Sequence, residues 1–147
     1  MSLTITQAKD EIYTQLNGYW NLQVPLSYLT PVKIYWMGID YQTPPDASQP
    51  WARVTLQHNY SNQTTFAQEG TRRFTRTGLL IVQLFVPLAS KNVTLCEKLG
   101  IIARDAFEGK ATAGGVWFRN ANLREIGADG TWYQFNMSVE FQYDEFK

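Results

Sequence analysis

The chain is short of the groups that most catalysis uses. It has one cysteine, Cys96, and one histidine, His58. A lone cysteine excludes an internal disulfide and any cysteine-rich zinc site. One histidine and one cysteine far apart in sequence also leave a zinc or iron centre without its usual ligand cluster. Net charge is lacking too, because 13 Lys and Arg balance 13 Asp and Glu. No general field is then available to hold a polyanion or an acidic membrane surface, and any nucleic-acid role has to be local. No apolar run approaches the roughly 18 residues of a membrane-spanning helix. The start MSLTITQAKDEIY has none of the basic, apolar and small-residue regions of an export signal, so the expectation is a soluble, unexported chain.

Nucleotide-binding signatures are also missing. Gly114-Gly115 precedes a strand-like segment without a lysine-threonine pair, which reads as a turn rather than a phosphate cradle. His58 stands at the end of a strand pattern with no nucleophile arranged around it. Cys96 falls on the apolar stripe of a helix pattern and reads as a core residue. The acidic pairs Asp10-Glu11, Asp105 with Glu108, and Asp144-Glu145 read as solvated helix faces or a tail. The expectation is a protein that is not an enzyme and needs no metal and no cofactor.

What is plentiful is aromatic: five Trp, eight Tyr and eight Phe in 147 residues. That length suits one domain, residues 1–147, with a single core. Thr4 and Gln7 have capping-box spacing, and Ile5, Ala8, Ile12 and Leu16 recur at helical intervals up to Gly18, predicting a helix of about three to four turns. Prolines at 25, 31, 44, 45 and 50 predict a mostly extended stretch over 19–50, with a short strand around 32–36 and a surface loop over 43–50. WARVTLQ (51–57) alternates, predicting a strand with one apolar face. Residues 58–70 are polar and read either as a long hairpin arm or as a flexible loop. Residues 77–86 are apolar on both sides, predicting a central strand covered on both faces and ended by Pro87. Caps at Ser90, Asn92 or Thr94 precede Leu95, Leu99, Ile102, Ala103, Ala106 and Phe107 at helical spacing, and Gly109 would stop that helix. Residues 116–119 and 123–126 read as two short strands. Residues 131–143 alternate cleanly, and Asp129-Gly130 is a hairpin turn signal. The expected fold is α+β: a mainly antiparallel sheet with two helices packed on it, plus an extended β-arm or loop.

One basic stretch stands out, QEGTRRFTRTG (68–78). In strand geometry Arg72 and Arg76 share a face with Phe74 between them, while Arg73 points the other way. Four residues separate Arg72 from Arg76 by roughly 13 Å, too far for one compact anion site. Three readings stay open: solvated arginines that blunt a strand edge, contacts to a neighbouring protein subunit, and a nucleic-acid module using Arg72, Arg73 and Arg76. Phe66, Trp36 and Trp51, on or beside expected edges and loops, join the three arginines as interface candidates.

The run TRRFTRTGLLIVQLFVPLASK, the helix after it, and the closing hairpin on ADGTWYQFNMSVEFQYDEF together resemble the small phage tail-terminator or tail-completion proteins. WARVTL behind a proline-rich loop is similar to their first central strand. The resemblance covers most of residues 51–147 and only the general layout before them. It implies a structural virion protein, encoded by a phage or prophage, that works without catalysis or cofactor. Such proteins form a ring, typically six-fold, that caps the tail tube, ends its polymerisation and meets the head-tail connector. The implied partners are further copies of the chain, the tail-tube protein and the connector. The implied location is the virion tail, after assembly in the bacterial cytoplasm.

Overall fold

The computed structural model describes residues 2–38 and 47–147. The first helix, α1 (Ile5–Gln23), starts as its capping box predicts: the Thr4 hydroxyl accepts from the Gln7 amide, and the Gln7 side chain accepts from the Thr4 amide. It buries Ala8, Ile12, Leu16 and Trp20 as one stripe. Its end differs from expectation, because the helix runs through Gly18 and continues into a 3-10 turn, Val24–Leu26. A glycine inside an exposed helix costs about 1 kcal/mol, whereas burying an aromatic side chain returns roughly 1.5–3 kcal/mol. Trp20 supplies that burial, and its indole N–H donates to the Val32 carbonyl at 2.9 Å, fixing the helix end to the chain leading into the sheet. Residues 19–26 are therefore helical, not extended. Of the loop expected over 43–50, residues 43–46 lie outside the described residues, and residues 47–49 form a turn and bend.

Five strands follow: β1 (Lys33–Trp36), β2 (Trp51–Gln63), β3 (Arg73–Pro87), β4 (Trp117–Asp129) and β5 (Trp132–Phe146), with α2 (Val93–Asp105) between β3 and β4. They form one sheet in the order β1-β2-β3-β5-β4, antiparallel except for the β1–β2 pair. The fold is α+β. Residues 58–63 extend β2, so the polar stretch is a hairpin arm and not a loose loop. The two short strands expected over 116–126 are one strand, β4, with register shifts at Arg119/Asn122 and Glu125/Gly127. Asn120 takes a positive φ of 55° inside the first of these, the local break that makes the alternation hard to read. Gly130, with φ of 63°, turns β4 into β5 as the Asp129-Gly130 signal predicts.

Both helices lie on one face of the sheet. Ala52, Val54 and Leu56 from β2, Leu80, Val82, Leu84 and Val86 from β3, and Met137, Val139, Phe141 and Tyr143 from β5 pack beneath them. Asn92 caps α2, which sets Leu95, Cys96, Leu99, Ile102 and Ala103 into the same core. β3 is central as expected, but its second face carries no helix: Leu79, Ile81 and Gln83 stay half-buried there. Phe85 on that face is covered by the rings of Trp51 and Trp132.

Gly78 sits opposite Phe141 in the β3–β5 register, and the Phe141 ring lies directly over it. A Cβ at this position would overlap both that ring and the Gln57 backbone carbonyl across the β2–β3 pair. Gly78→Ala is expected to lower the unfolding free energy by about 1–3 kcal/mol, the range for overpacking a tight site. Urea denaturation checks it, and adding Phe141→Leu should make the alanine substitution less damaging. A neutral Gly78→Ala would refute this close approach.

Candidate interaction surface

The sequence candidates fall into two groups at opposite ends of the sheet, with Trp36 apart from both. The first is the arm. Beyond His58, β2 and β3 continue as a hairpin, and the end of β5 pairs beside β3 from Gln142↔Thr77 to Phe146↔Arg73. Leu3 then donates its amide to the Asp144 carbonyl, so the chain's start borders the third strand of the arm. Arg76 lies between these strands and gives Glu145 two N–H contacts, at 2.8 and 3.2 Å. Its guanidinium also stands 5.4 Å from the Phe74 ring centroid, on the shared face that alternation predicts.

Arg72 and Arg73 are used closer to the tip. Arg73 Nε donates to the Thr64 hydroxyl at 2.8 Å, and Arg72 Nε donates to the Ala67 carbonyl at 3.0 Å. The Arg73 amide donates to the Thr65 hydroxyl, and both the amide and the hydroxyl of Thr71 donate to the Gln68 carbonyl. Gly70 supplies the positive φ of 92° that the reversal needs. The loop is thus closed on itself, and it holds Phe66 outward at 98% exposure. The arginines brace the arm, and Phe66 is what the arm presents.

At the arm's base, His58 Nε2 lies 2.7 Å from the Tyr143 hydroxyl, and its ring meets Phe141 edge-on at 5.2 Å. Burial foremost, then the positive charges of Lys9 and Arg76, hold His58 below its usual pKa of 6.5. Burial pushes Tyr143 up to about 12, so the phenol keeps its proton. The neutral imidazole can accept that proton's hydrogen bond, whereas a protonated one cannot.

The second group lies at the far end, on the helix-free face. Trp51 stacks on Phe85 with ring centres 4.2 Å apart, and Tyr35 and Trp132 meet Trp51 edge-on at 5.3 and 5.9 Å. The result is an aromatic strip across β1, β2, β3 and β5. The Trp51 indole N–H is buried and makes no hydrogen bond among the described residues. Trp36 is separate from the strip and packs against Tyr13 of α1 at 4.9 Å.

The candidates chosen from sequence omit an apolar corner beside this end. Leu22, Leu26 and Leu29 are 67%, 78% and 96% exposed around the 3-10 turn. Their spacing of four and three residues continues the helical register, a signal hidden once the helix is taken to stop at Gly18.

Elsewhere, a hollow of about 360 Å³ is lined by Asp10, Glu11, Thr14, Gln15, Thr112 and Ala113. Glu11 is already occupied there, accepting the Gly114 amide at 2.7 Å. Cys96 is fully buried, and burial pushes its thiol up to about 12. No group of three or more His, Cys, Asp or Glu converges among the described residues. No helix among them is long and apolar enough to cross a membrane.

No protein-family model matches the chain, and no curated protein matches it. A solved structure of a protein without a descriptive name is similar to it in fold. The TM-score is 0.65 at 14% sequence identity, over 95% of this chain and 96% of that one. At that identity the likeness establishes a shared fold and nothing about activity.

His58 offers a direct check on the arm's base. Its depressed folded pKa means that the unfolded chain binds protons more readily, so its stabilising contribution is complete above about pH 6.5 and is lost as pH falls through the folded pKa. Denaturation midpoints should fall between about pH 7.5 and 5.5, and His58→Gln should flatten that dependence. As this is the only histidine, an unchanged slope in the variant would remove the assignment.

Proposed function

We propose that the chain is a structural phage protein that forms a ring, typically six-fold, on the end of a tail tube, stops the tube's growth and meets the head-tail connector. The observation that carries this reading is the arm. Residues 59–64 and 66–71 are exposed throughout. Ordering a residue costs roughly 1–2 kcal/mol of conformational entropy, and these residues bury almost nothing in return within their own chain. A segment ordered at that cost, with Phe66 held outward, is suited to a contact outside the chain. The resemblance of residues 51–147 to tail-terminator proteins supports the same reading and supplies the kind of neighbour.

The arginines weigh toward protein and away from nucleic acid. Arg76 is neutralised by Glu145 at 2.8 Å, and Arg72 and Arg73 spend their Nε groups on the arm itself. A groove that follows a phosphate backbone needs uncompensated positive charge. Here only Arg76 is neutralised; Arg72 and Arg73 bond neutral oxygens and keep their charge, but with 13 basic and 13 acidic residues the chain offers no wider positive field to extend these two into a groove.

Purified protein added to growing tail tubes of the same phage should arrest elongation and appear as a ring at one tube end by negative-stain microscopy. Tubes that grow to unlimited length with bare ends across a wide range of protein concentrations would overturn the proposal.

A further inference from the structure

Two apolar features of the surface lie at opposite ends of the sheet. Phe66 crowns the hydrogen-bonded arm tip. The corner formed by residues 20–32 adjoins the start of β1, which pairs with Trp51 at the other end of β2. The 13 residues of β2 span on the order of 40 Å, so Phe66 cannot reach the corner of its own chain.

The corner has the shape of a receptor. A hollow of about 180 Å³ lies between Trp20, Val24, Pro25, Tyr28, Leu29 and Val32. A cavity of about 150 Å³ is enough to hold a benzene molecule, so a phenyl ring fits. Residues 20–32 contain no Asp, Glu, Lys or Arg, so covering them strips water from no charged side chain. The nearest charge along the chain is the exposed Lys33, and the charged residue nearest Phe66 in the chain is the exposed Glu69, opposite in sign to Lys33, while Arg72 and Arg73 are turned onto the loop's own Ala67 and Thr64 oxygens.

We infer that the arm tip of one copy of this chain docks in the corner of the next, with Phe66 in the hollow beside Leu29 and Glu69 facing Lys33. The contact is head-to-tail, the kind that builds a closed ring or an open filament and never a two-fold dimer. It deepens the ring reading above by naming the two patches that meet.

Area sets the strength of the contact. The phenyl group offers about 200 Å², and with Leu22, Leu26 and Leu29 the apolar surface covered is on the order of 600 Å², below the roughly 1,200–2,000 Å² of a stable pair. A single contact is therefore weak. It gains from repetition around a ring, where each further contact is made at high effective concentration.

Cysteine crosslinking tests this, because the native Cys96 is fully buried and leaves the background clean. Phe66→Cys and Leu29→Cys, each made singly, mixed and oxidised, should give a disulfide-linked heterodimer. The double variant should give a ladder of higher species. Phe66→Ser, at a side chain 98% exposed, should keep the circular dichroism spectrum and weaken self-association by roughly ten-fold or more, as truncating an aromatic anchor does. Phe66→Trp should retain it. A Phe66→Cys homodimer as the main product would overturn the inference, as would crosslinking no better than that of a Phe66→Cys and Glu97→Cys control pair. Crosslinked open chains that never cap a tube would preserve this contact and remove the ring reading. Capped tubes without the crosslink would do the reverse.

Discussion

The pairing of β3 with β5 is the constraint on which the rest depends. It runs from Arg73↔Phe146 to Pro87↔Trp132 without a register shift. A slip of one residue in such a pair would exchange the two faces along its whole length. Gly78 helps to hold the register, because only there does β3 leave room for the Phe141 ring. With the register set, Leu80, Val82 and Leu84 face the helices beside Val139, Met137 and Phe135. The β2–β3 register sets Phe85 opposite Trp51, and the β3–β5 register places Trp132 opposite Pro87, two residues along on the same face. The same pairing continues past the helices to Phe146, and that excess length is the arm.

Much of this could be read from the sequence where the physical cause is local. Alternation over 131–143 predicts β5 because a strand with one buried face must repeat every second residue. The Thr4–Gln7 capping box and the Asn92 cap mark helix starts, since each supplies an acceptor to an amide that would otherwise have none. The errors arise where a distant contact decides. Gly18 reads as a stop, yet Trp20 buried against Val32 carries the helix onward. Pro25 reads as extended chain, yet it stands in the first turn of a 3-10 helix, a position that needs no amide hydrogen. The two apolar faces of β3 suggest two covering layers, but aromatic neighbours within the sheet cover part of the second face instead.

The candidate surface was legible to the same degree. The tip aromatic and the arginines could be named from sequence because they stand in a polar stretch with no core pattern. Their partners could not: Arg76 meets Glu145 only because the last residues of the chain return to the strand that holds the arginine. The corner of Leu22, Leu26 and Leu29 was hidden, because its apolar spacing becomes visible only once the helix is known to continue.

The division of labour along the arm follows from these contacts. Polar groups that could have met a partner are spent on holding the arm's shape: Thr64 and Thr65 receive Arg73, and Ala67 receives Arg72. In the proposed contact, recognition falls on a single aromatic side chain carried by a loop whose backbone is already held by hydrogen bonds, so less ordering remains to be done on binding. The proposed role at the end of a tube gives a reason for this construction. Strong pairing in free solution would consume it before it met its target, whereas a pre-shaped anchor with a small footprint binds firmly only where several copies are arranged together. On the proposed role, the exposed polar arm, the apolar corner and the balanced charge answer one requirement, that assembly wait for its template.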